Sequence, residues 1–438
     1  MTTLMQNEAR VQAYLLPRMG WIRGRLARLV TDPRQRQGVR HKFGDLVIGI
    51  LAAMLAGKLT VRELERLSER LGLGRDGDGI SDSTFSTVVR LLNDDAFKPV
   101  LVESIKSMGR RGQLKLVGLR QHWVAIDGKY KTLDHDASGK AQRFQDKDKK
   151  SVYWRLGFLR AVLVSAVGSP ALGQHVMLPK EKSPKDPDKA KHTGEISNLW
   201  SFVTWLRKAY GELTTNFSVD AGLWSRELFA RFDEAGLGLF GSIKENKPEL
   251  HQEAARILRI AQRQEADAES AFEPSSRGMV RRRLWRSTKL DGWNGWKHLR
   301  QVVLVEQTTR PRDGGADIVE LRYFGTNVGT GHLSPSEMLL LVRRHWAIEN
   351  DCNWTFDVIM GEDDHTFCTT KNAVLALGIL RMIAYNMLQW LRCSHAKQLH
   401  PRAAPTPMSW RALHEHIFAL WVRLGVTFPR VLAPPKRA

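Results

Sequence analysis

Through residues 1–118 the apolar positions follow a helical period, and after residue 119 they alternate as strands do. Phe43 to Ala56 is one apolar run of helix length. Thr60-Val61-Arg62-Glu63 has the form of a capping box: the threonine hydroxyl takes the third amide while the glutamate reaches back. The helix it opens carries Val61, Leu64, Leu67 and Leu71 on one face. A Gly/Asp-rich turn, GLGRDGDG, leads to a second short helix beginning near Ser83. There Phe85, Val88, Val89 and Leu92 recur at i, i+3, i+4 and i+7, which leaves Ser83, Thr84, Ser86, Thr87 and Arg90 facing outward.

The strand-like runs are HWVAID (122–127), WRLGFLRAVLVSAV (154–167), LGQHVML (172–178), TNFSVD (215–220) and LGLFGSIK (237–244). A Lys/Asp/Pro loop fills 180–191, and Ile196–Tyr210 and Ser225–Glu234 read as helices. Strands followed by alternating helix and strand predict an α/β or α+β domain with a mixed sheet, taken here as α+β. A β-rich insertion at about 270–333 interrupts that order. Ser334-Pro335-Ser336-Glu337 then opens a long helix, with serine as N-cap, proline at the first helical position and glutamate closing the box. The expected division is a helical N-terminal domain (1–118), a mixed-sheet domain (119–395) containing an apolar helix near 373–392, and a basic Pro-containing tail (396–438).

The 438 residues carry a net charge of +21, with a pI of about 10.1. So basic a balance calls for a polyanionic partner, nucleic acid or an anionic membrane surface. The most apolar runs, Leu46–Leu55 and Ala373–Leu380, fall short of the ~18–20 residues a spanning helix needs. The N-terminal MTTLMQNEAR lacks an apolar signal core. Cys352, Cys368 and Cys393 make neither a disulfide framework nor a zinc motif. The expectation is a cytoplasmic DNA-binding protein. In that setting the two short helices, with Ser83, Thr84 and Arg90 outside, are compatible with a helix-turn-helix reader; an ordinary helical bundle with a polar face is the alternative.

Two carboxylates end predicted strands, Asp127 in AIDGK and Asp220 in SVDAG, and Glu349 lies well inside the predicted long helix. Phosphoryl chemistry needs hard cations held by oxygen ligands, and carboxylates on rigid elements supply them. Residue type alone selects weakly here, because the chain has 46 acidic residues. The order of words is more specific. DPRQRQGVRH near residue 32 is followed by AIDGK, KHTGEISNL at 191, SVDAGLWSRE at 218 and SIKENKPEL at 242. HWAIEN follows, then DV at 357 and GEDD at 361. From about residue 30 to 392 this order resembles the Asp-Asp-Glu transposases of bacterial insertion sequences, in the IS-four-like superfamily, nearest to the H-repeat-associated (ISAs-type) branch.

The resemblance implies an RNase H-like catalytic core with a β-rich insertion between the second Asp and the Glu. It places the catalytic, metal-holding triad on Asp127, Asp220 and Glu349. It implies two Mg²⁺ ions, with Mn²⁺ able to substitute, and cleavage at transposon ends followed by strand transfer into target DNA. Double-stranded DNA is the implied partner, bound by a homodimer. The chain departs from the wider superfamily, which often has an Arg four residues before the Glu and a Tyr seven before; here these are His345 and Val342. It also has Asn353-Trp354 where the nearer branch usually has a second His-Trp. A binding protein without catalysis and an RNase H-like nuclease remain as alternatives.

Further candidates for DNA contact are Lys129, Arg344, His345 and the run Arg281, Arg282, Arg283. That run lies in a stretch, Arg277–Lys289, with six basic residues and no acid. Trp285, Trp293 and Trp296 stand in or after it, for base stacking or for a β core. His345 sits four residues before Glu349, where it can meet phosphate, orient the Glu or simply pack. Asp351, Asp357, Glu362, Asp363 and Asp364 crowd the region after Glu349 and are read as structural, with Asp357 a rival ligand by helical phase.

Overall fold

The computed structural model describes residues 3–35, 39–133, 141–145, 151–177, 194–223, 225–245, 247–275, 277–363, 373–399 and 408–432. The 180–191 loop, Asp364 and Cys368 lie outside these residues. The chain opens with helices α1 (Thr3–Leu29), α2 (Phe43–Leu55), α3 (Val61–Arg70), α4 (Asp82–Leu91) and α5 (Asp94–Arg110). Helix α2 is buried along almost its whole length, as a helix apolar on every side must be. The Thr60–Glu63 capping box forms, with Thr60 Oγ1 accepting from the Glu63 amide at 3.2 Å. Helix α4 is capped by Ser81. Its connection to α3, Leu71–Ser81, contains the Gly/Asp-rich turn read from the sequence and is longer than the ~3–4-residue turn of a tight helix-turn-helix.

One eleven-stranded sheet follows. Strands β1 (Val124–Leu133), β2 (Gln142–Gln145), β3 (Val152–Leu163) and β4 (Ala171–Val176) pair antiparallel. Helix α6 (Glu195–Tyr210) then leads to β5 (Asn216–Val219), which lies parallel to β1 on its other side. Helix α7 (Arg226–Glu234) connects to β6 (Gly238–Ile243), parallel to β5. Helix α8 (Pro248–Ala261), not expected from the sequence, precedes the predicted insertion. The insertion comprises β7 (Ala268–Glu269), β8 (Glu273–Ser275), β9 (Gly278–Ser287), β10 (Gln301–Pro311) and β11 (Ile318–Thr326). It is not a separate body: β11 pairs with β6, so these strands prolong the core sheet.

Three expectations are corrected. Strand β1 does not end at Asp127; its ladder with β3 continues to Leu133, because β3 still offers partners after β5 has stopped. Helix α9 (Pro335–His345) keeps its predicted Ser334–Glu337 box but ceases to be α-helical before Glu349 and continues as π-helical turns over Ile348–Asn353 and Thr355–Ile359. The C-terminal tail contains helices α11 (Trp410–Leu424) and α12 (Phe428–Val431). Trp421 is fully buried and donates from Nε1 to the Ala52 carbonyl of α2 at 3.1 Å.

Helix α10 (Ala373–Leu399) runs against α2, α5 and β4. Its Ala373–Ser394 stretch is long and apolar enough to cross a membrane, more than the Ala373–Leu380 run suggested, yet 94% of its apolar 18-residue window is buried inside the protein. A core helix of this length passes the same test, and Arg381 within it is itself buried.

Candidate active site

The parallel register aligns Ala125 with Ser218 and Ile126 with Val219. Asp127 and Asp220 come next on neighbouring strands, and side-chain alternation puts both on the face of Ala125 and Ser218. Helix α9 crosses that face, where His345 Nδ1 and Ser218 Oγ pair at 3.0 Å. Four residues on, the π-helical turn carries Glu349 close enough to Asp127 and Asp220 for their charges to interact. π-helical turns are rare and recur at functional sites.

The carboxylates act on one another electrostatically. Burial and then the nearby Glu349 raise the Asp127 carboxyl to about 7; Glu195 and Asp220 push the same way, against the Gly128 amide. Burial and then Asp220 also raise Glu349. Asp220 goes the other way: burial works to raise it, but Lys244 Nζ at 2.9 Å and Ser242 Oγ at 2.7 Å hold it below the usual range.

Glu195, the first residue of α6, is a fourth carboxylate in this group, one that the sequence did not single out. It accepts from Tyr130 Oη at 3.2 Å. A Cβ on Gly128 would stand 2.2 Å from its Oε1, so glycine beside Asp127 is what lets it approach. The available signal was its place in the KHTGEISNL word. Among the described residues no three His, Cys, Asp or Glu side chains are gathered tightly enough to grip an ion as they stand. Lys244 sits on one of the Asp220 oxygens that such an ion would take. The donor set itself, hard carboxylate oxygens repelling one another, suits Mg²⁺.

His345 is half-buried, and desolvation lowers its pKa to about 4, so the ring is neutral and tied to Ser218 rather than to Glu349. Lys129 lies on β1, not in a loop, and its ammonium pairs with Asp357 and, at 3.4 Å, Asp363. Asp357 is thereby engaged away from the triad. Arg160, the cross-strand partner of Asp127, is fully buried and forked onto Glu362 at 2.9 and 3.0 Å. Asp357, Glu362 and Asp363 are thus salted to cations, in keeping with a structural role.

The Arg281–Arg283 run splits, because neighbours on a strand point to opposite faces. Arg281 meets Glu269 at 3.3 Å and Arg283 binds Glu306, on the side of α8. Arg282 instead lines an open groove of about 950 Å³. The groove brings it together with Arg344 and with Arg277 of the same basic stretch, which were expected, and with Arg322, Arg343 and Arg392, which were not. Trp285 and Trp296 are core residues, whereas Trp346 and Trp354, on either side of Glu349, are exposed. The guanidinium of Arg322 lies 5.5 Å over the Trp346 ring. Ser83, Thr84 and Arg90 lie far along the chain on α4. The first two, with Arg34, Arg40, His41 and Arg66, line a second open groove of about 900 Å³ in the helical region.

No protein-family model matches the chain. It is similar to putative transposase YncI of Escherichia coli O157:H7, 24% identical over 375 residues, covering 82% of this chain and 85% of the relative. It is also similar to H repeat-associated putative transposase YhhI of Escherichia coli K12, 22% identical over 382 residues, covering 82% and 88%. A third relative, putative protein YbfL of the same strain, matches at 22% identity over 382 residues, covering 82% and 88%. The H-repeat association expected from the sequence words appears in one of these names. The chain is a distant relative, over most of its length, of proteins that bear transposase names.

Proposed function

We propose that the protein is a metal-dependent DNA transposase with an RNase H-like core, and that Asp127, Asp220 and Glu349 are its catalytic triad. The observation that carries this is the register: two aspartates level on adjacent parallel strands, with a glutamate brought over them by a helix from beyond the insertion. The strand order supports the fold reading, since an antiparallel β1–β3–β4 meander is followed by β5 and β6 parallel to β1 on the other side. The transposase names of the relatives support the activity.

In this reading the three carboxylates would hold two Mg²⁺ ions, or Mn²⁺ in their place, whose chemistry when bound would be to activate water and neutralise charge on the phosphate. The chain's own residues do the rest. Asp127, raised to about 7 by burial and by Glu349, would hold such an ion in its ionised form. Lys244, released from Asp220, is placed to meet a phosphate oxygen. The arginine groove holds the DNA backbone by charge, and exposed Trp346 and Trp354 offer faces to unpaired bases. Water breaks a phosphodiester at the element end and leaves a 3′-OH. That hydroxyl then attacks a target phosphodiester, forming one P–O bond as another breaks, without a covalent protein–DNA intermediate. Joining two ends calls for two copies of the chain on DNA.

The test uses the purified chain, Mg²⁺ and linear DNA bearing the ends that flank its gene. Cleavage at those ends and joining to a plasmid are scored beside Asp127→Asn, Asp220→Asn and Glu349→Gln. Cutting and joining by the wild type, with binding alone by the three variants, is expected. Binding without cutting in either Mg²⁺ or Mn²⁺ would refute the catalytic claim and leave a binding protein; nicking without end specificity would favour a nuclease.

A further inference from the structure

Behind Asp127 lies a polar chain that the chemistry above does not use. Asn353 is nearly buried on the π-helical turn, four residues after Glu349. Its Oδ1 accepts from Arg160 Nη1 at 2.8 Å, and its Nδ2 points at Asp127 Oδ2 at 3.5 Å. The other fork of Arg160 is fixed on Glu362, itself buried. Arg160 also lies over the Phe356 ring, 4.2 Å from its centroid. Because a guanidinium can only donate, it must meet the amide oxygen of Asn353, and the amide nitrogen is thereby turned toward Asp127.

We propose that Asn353 is a positioning residue: the Arg160–Glu362 pair locks its amide so that it holds one Asp127 oxygen and leaves the other free for a metal ion. This rests on the reading of Asp127 as a metal ligand. The arrangement is the one that tunes metal sites generally, where a group bonded to the ligand fixes its orientation and its loss costs ~10–100-fold in metal affinity. Asn353 also ties the turn bearing Glu349 to the strand bearing Asp127, so one amide sets the distance between two of the three ligands.

The test compares wild type with Asn353→Leu, which keeps bulk but removes both bonds, and Asn353→His, whose ring again offers one acceptor and one donor. Arg160→Lys is added, because an ammonium keeps the charge facing Glu362 but lacks the planar fork. Binding of Mn²⁺ to the DNA-free protein is followed by loss of the free-ion electron paramagnetic resonance signal, and binding of end DNA is measured separately. Asn353→Leu is expected to weaken Mn²⁺ about 10–100-fold and Asn353→His much less, with DNA affinity unchanged in both. Arg160→Lys is expected to fall between them. A metal-free cycle of Asn353→Leu with Asp127→Asn is expected to be non-additive in the urea midpoint. Wild-type Mn²⁺ affinity in Asn353→Leu, or an additive cycle, overturns the proposal. Failure of the wild type itself to bind Mn²⁺, with the cycle still coupled, overturns the reading of the site and leaves the Asn353–Asp127 contact standing.

Discussion

Removing the single buried anion behind the active site should cost more than removing it together with its partner. Glu362 is buried amid three buried cations: Arg160 forked on its carboxylate, Arg381 nearby, and Lys131 donating to its backbone carbonyl. Burial works to raise its pKa, but Arg160 and Arg381 outweigh that and hold it low. Glu362→Gln keeps the shape and deletes the charge. Breaking a buried pair from one side costs ~3–5 kcal/mol, whereas replacing both partners by apolar residues of like volume is often near neutral. Some relief is available here. Burial, then Arg381, lowers Lys131 to about 8, so shedding its proton at pH 7 costs only about 1.4 kcal/mol. The arginines have no such escape. Because the folded pKa of Lys131 lies below its ordinary 10.5, stability from this group grows as pH rises through about 8. Without Glu362 that window moves to lower pH. The expected loss for Glu362→Gln is therefore about 3 kcal/mol near neutral pH, shrinking as pH rises toward about 8. Arg160→Met with Glu362→Met removes one of the two stranded arginines but leaves Arg381 without its anion, so it should recover only part of that loss, on the order of 1 kcal/mol. Urea unfolding read by the chain's 14 tryptophans gives both numbers. A single variant within about 1 kcal/mol of wild type, or a double variant worse than the single, would refute uncompensated charge as the cause.

Glu195→Gln is expected to weaken Mn²⁺ binding and end cleavage by ~10-fold or more, and Gly128→Ala to do the same by displacing the Glu195 carboxylate; wild-type values in both would remove Glu195 from the site. Replacing Arg277 and Arg343 together by alanine should reduce the slope of log affinity for DNA against log salt by about 1.8, about 0.9 for each phosphate no longer neutralised. An unchanged slope would show that DNA does not enter that groove. For Glu337, burial works to raise the pKa, but Arg120 and the Ser334 cap bring it down to about 2. Its contribution to stability is present above its ordinary 4.5 and is lost as pH falls from there toward about 2. Glu337→Gln should be less stable than wild type at pH 7 and should flatten the stability curve across that window; parallel curves would refute the assignment.

Features decided by neighbours along the chain were legible in the sequence. Both capping boxes, at Thr60 and Ser334, need only residues three positions apart, and both form. The carboxylates Asp127 and Asp220 were legible as candidates because each follows an apolar strand. What escaped depends on partners hundreds of positions away. Gly128 to Thr132 looks like a polar loop until Lys129 meets Asp357 and Lys131 meets the chain at Glu362, and only then can β1 continue past the aspartate. The π-helical turn at Glu349 has the same origin, since a wider turn brings Asn353 to Arg160, on a strand nearly two hundred residues earlier. Two misses were avoidable. Strand alternation alone separates Arg282 from Arg281 and Arg283. Trp410, Leu413, Ile417, Leu420 and Trp421 are spaced as one helical stripe within what reads as a tail. The distinction bears on function. Word order singles out three candidate carboxylates, but besides burial and their mutual repulsion their electrostatics come from Lys244 and Glu195, neither of which is adjacent to them in the chain. A variant that keeps all three carboxylates and loses one of these neighbours should still fold and bind DNA, and fail at the step that needs the carboxylates held in place.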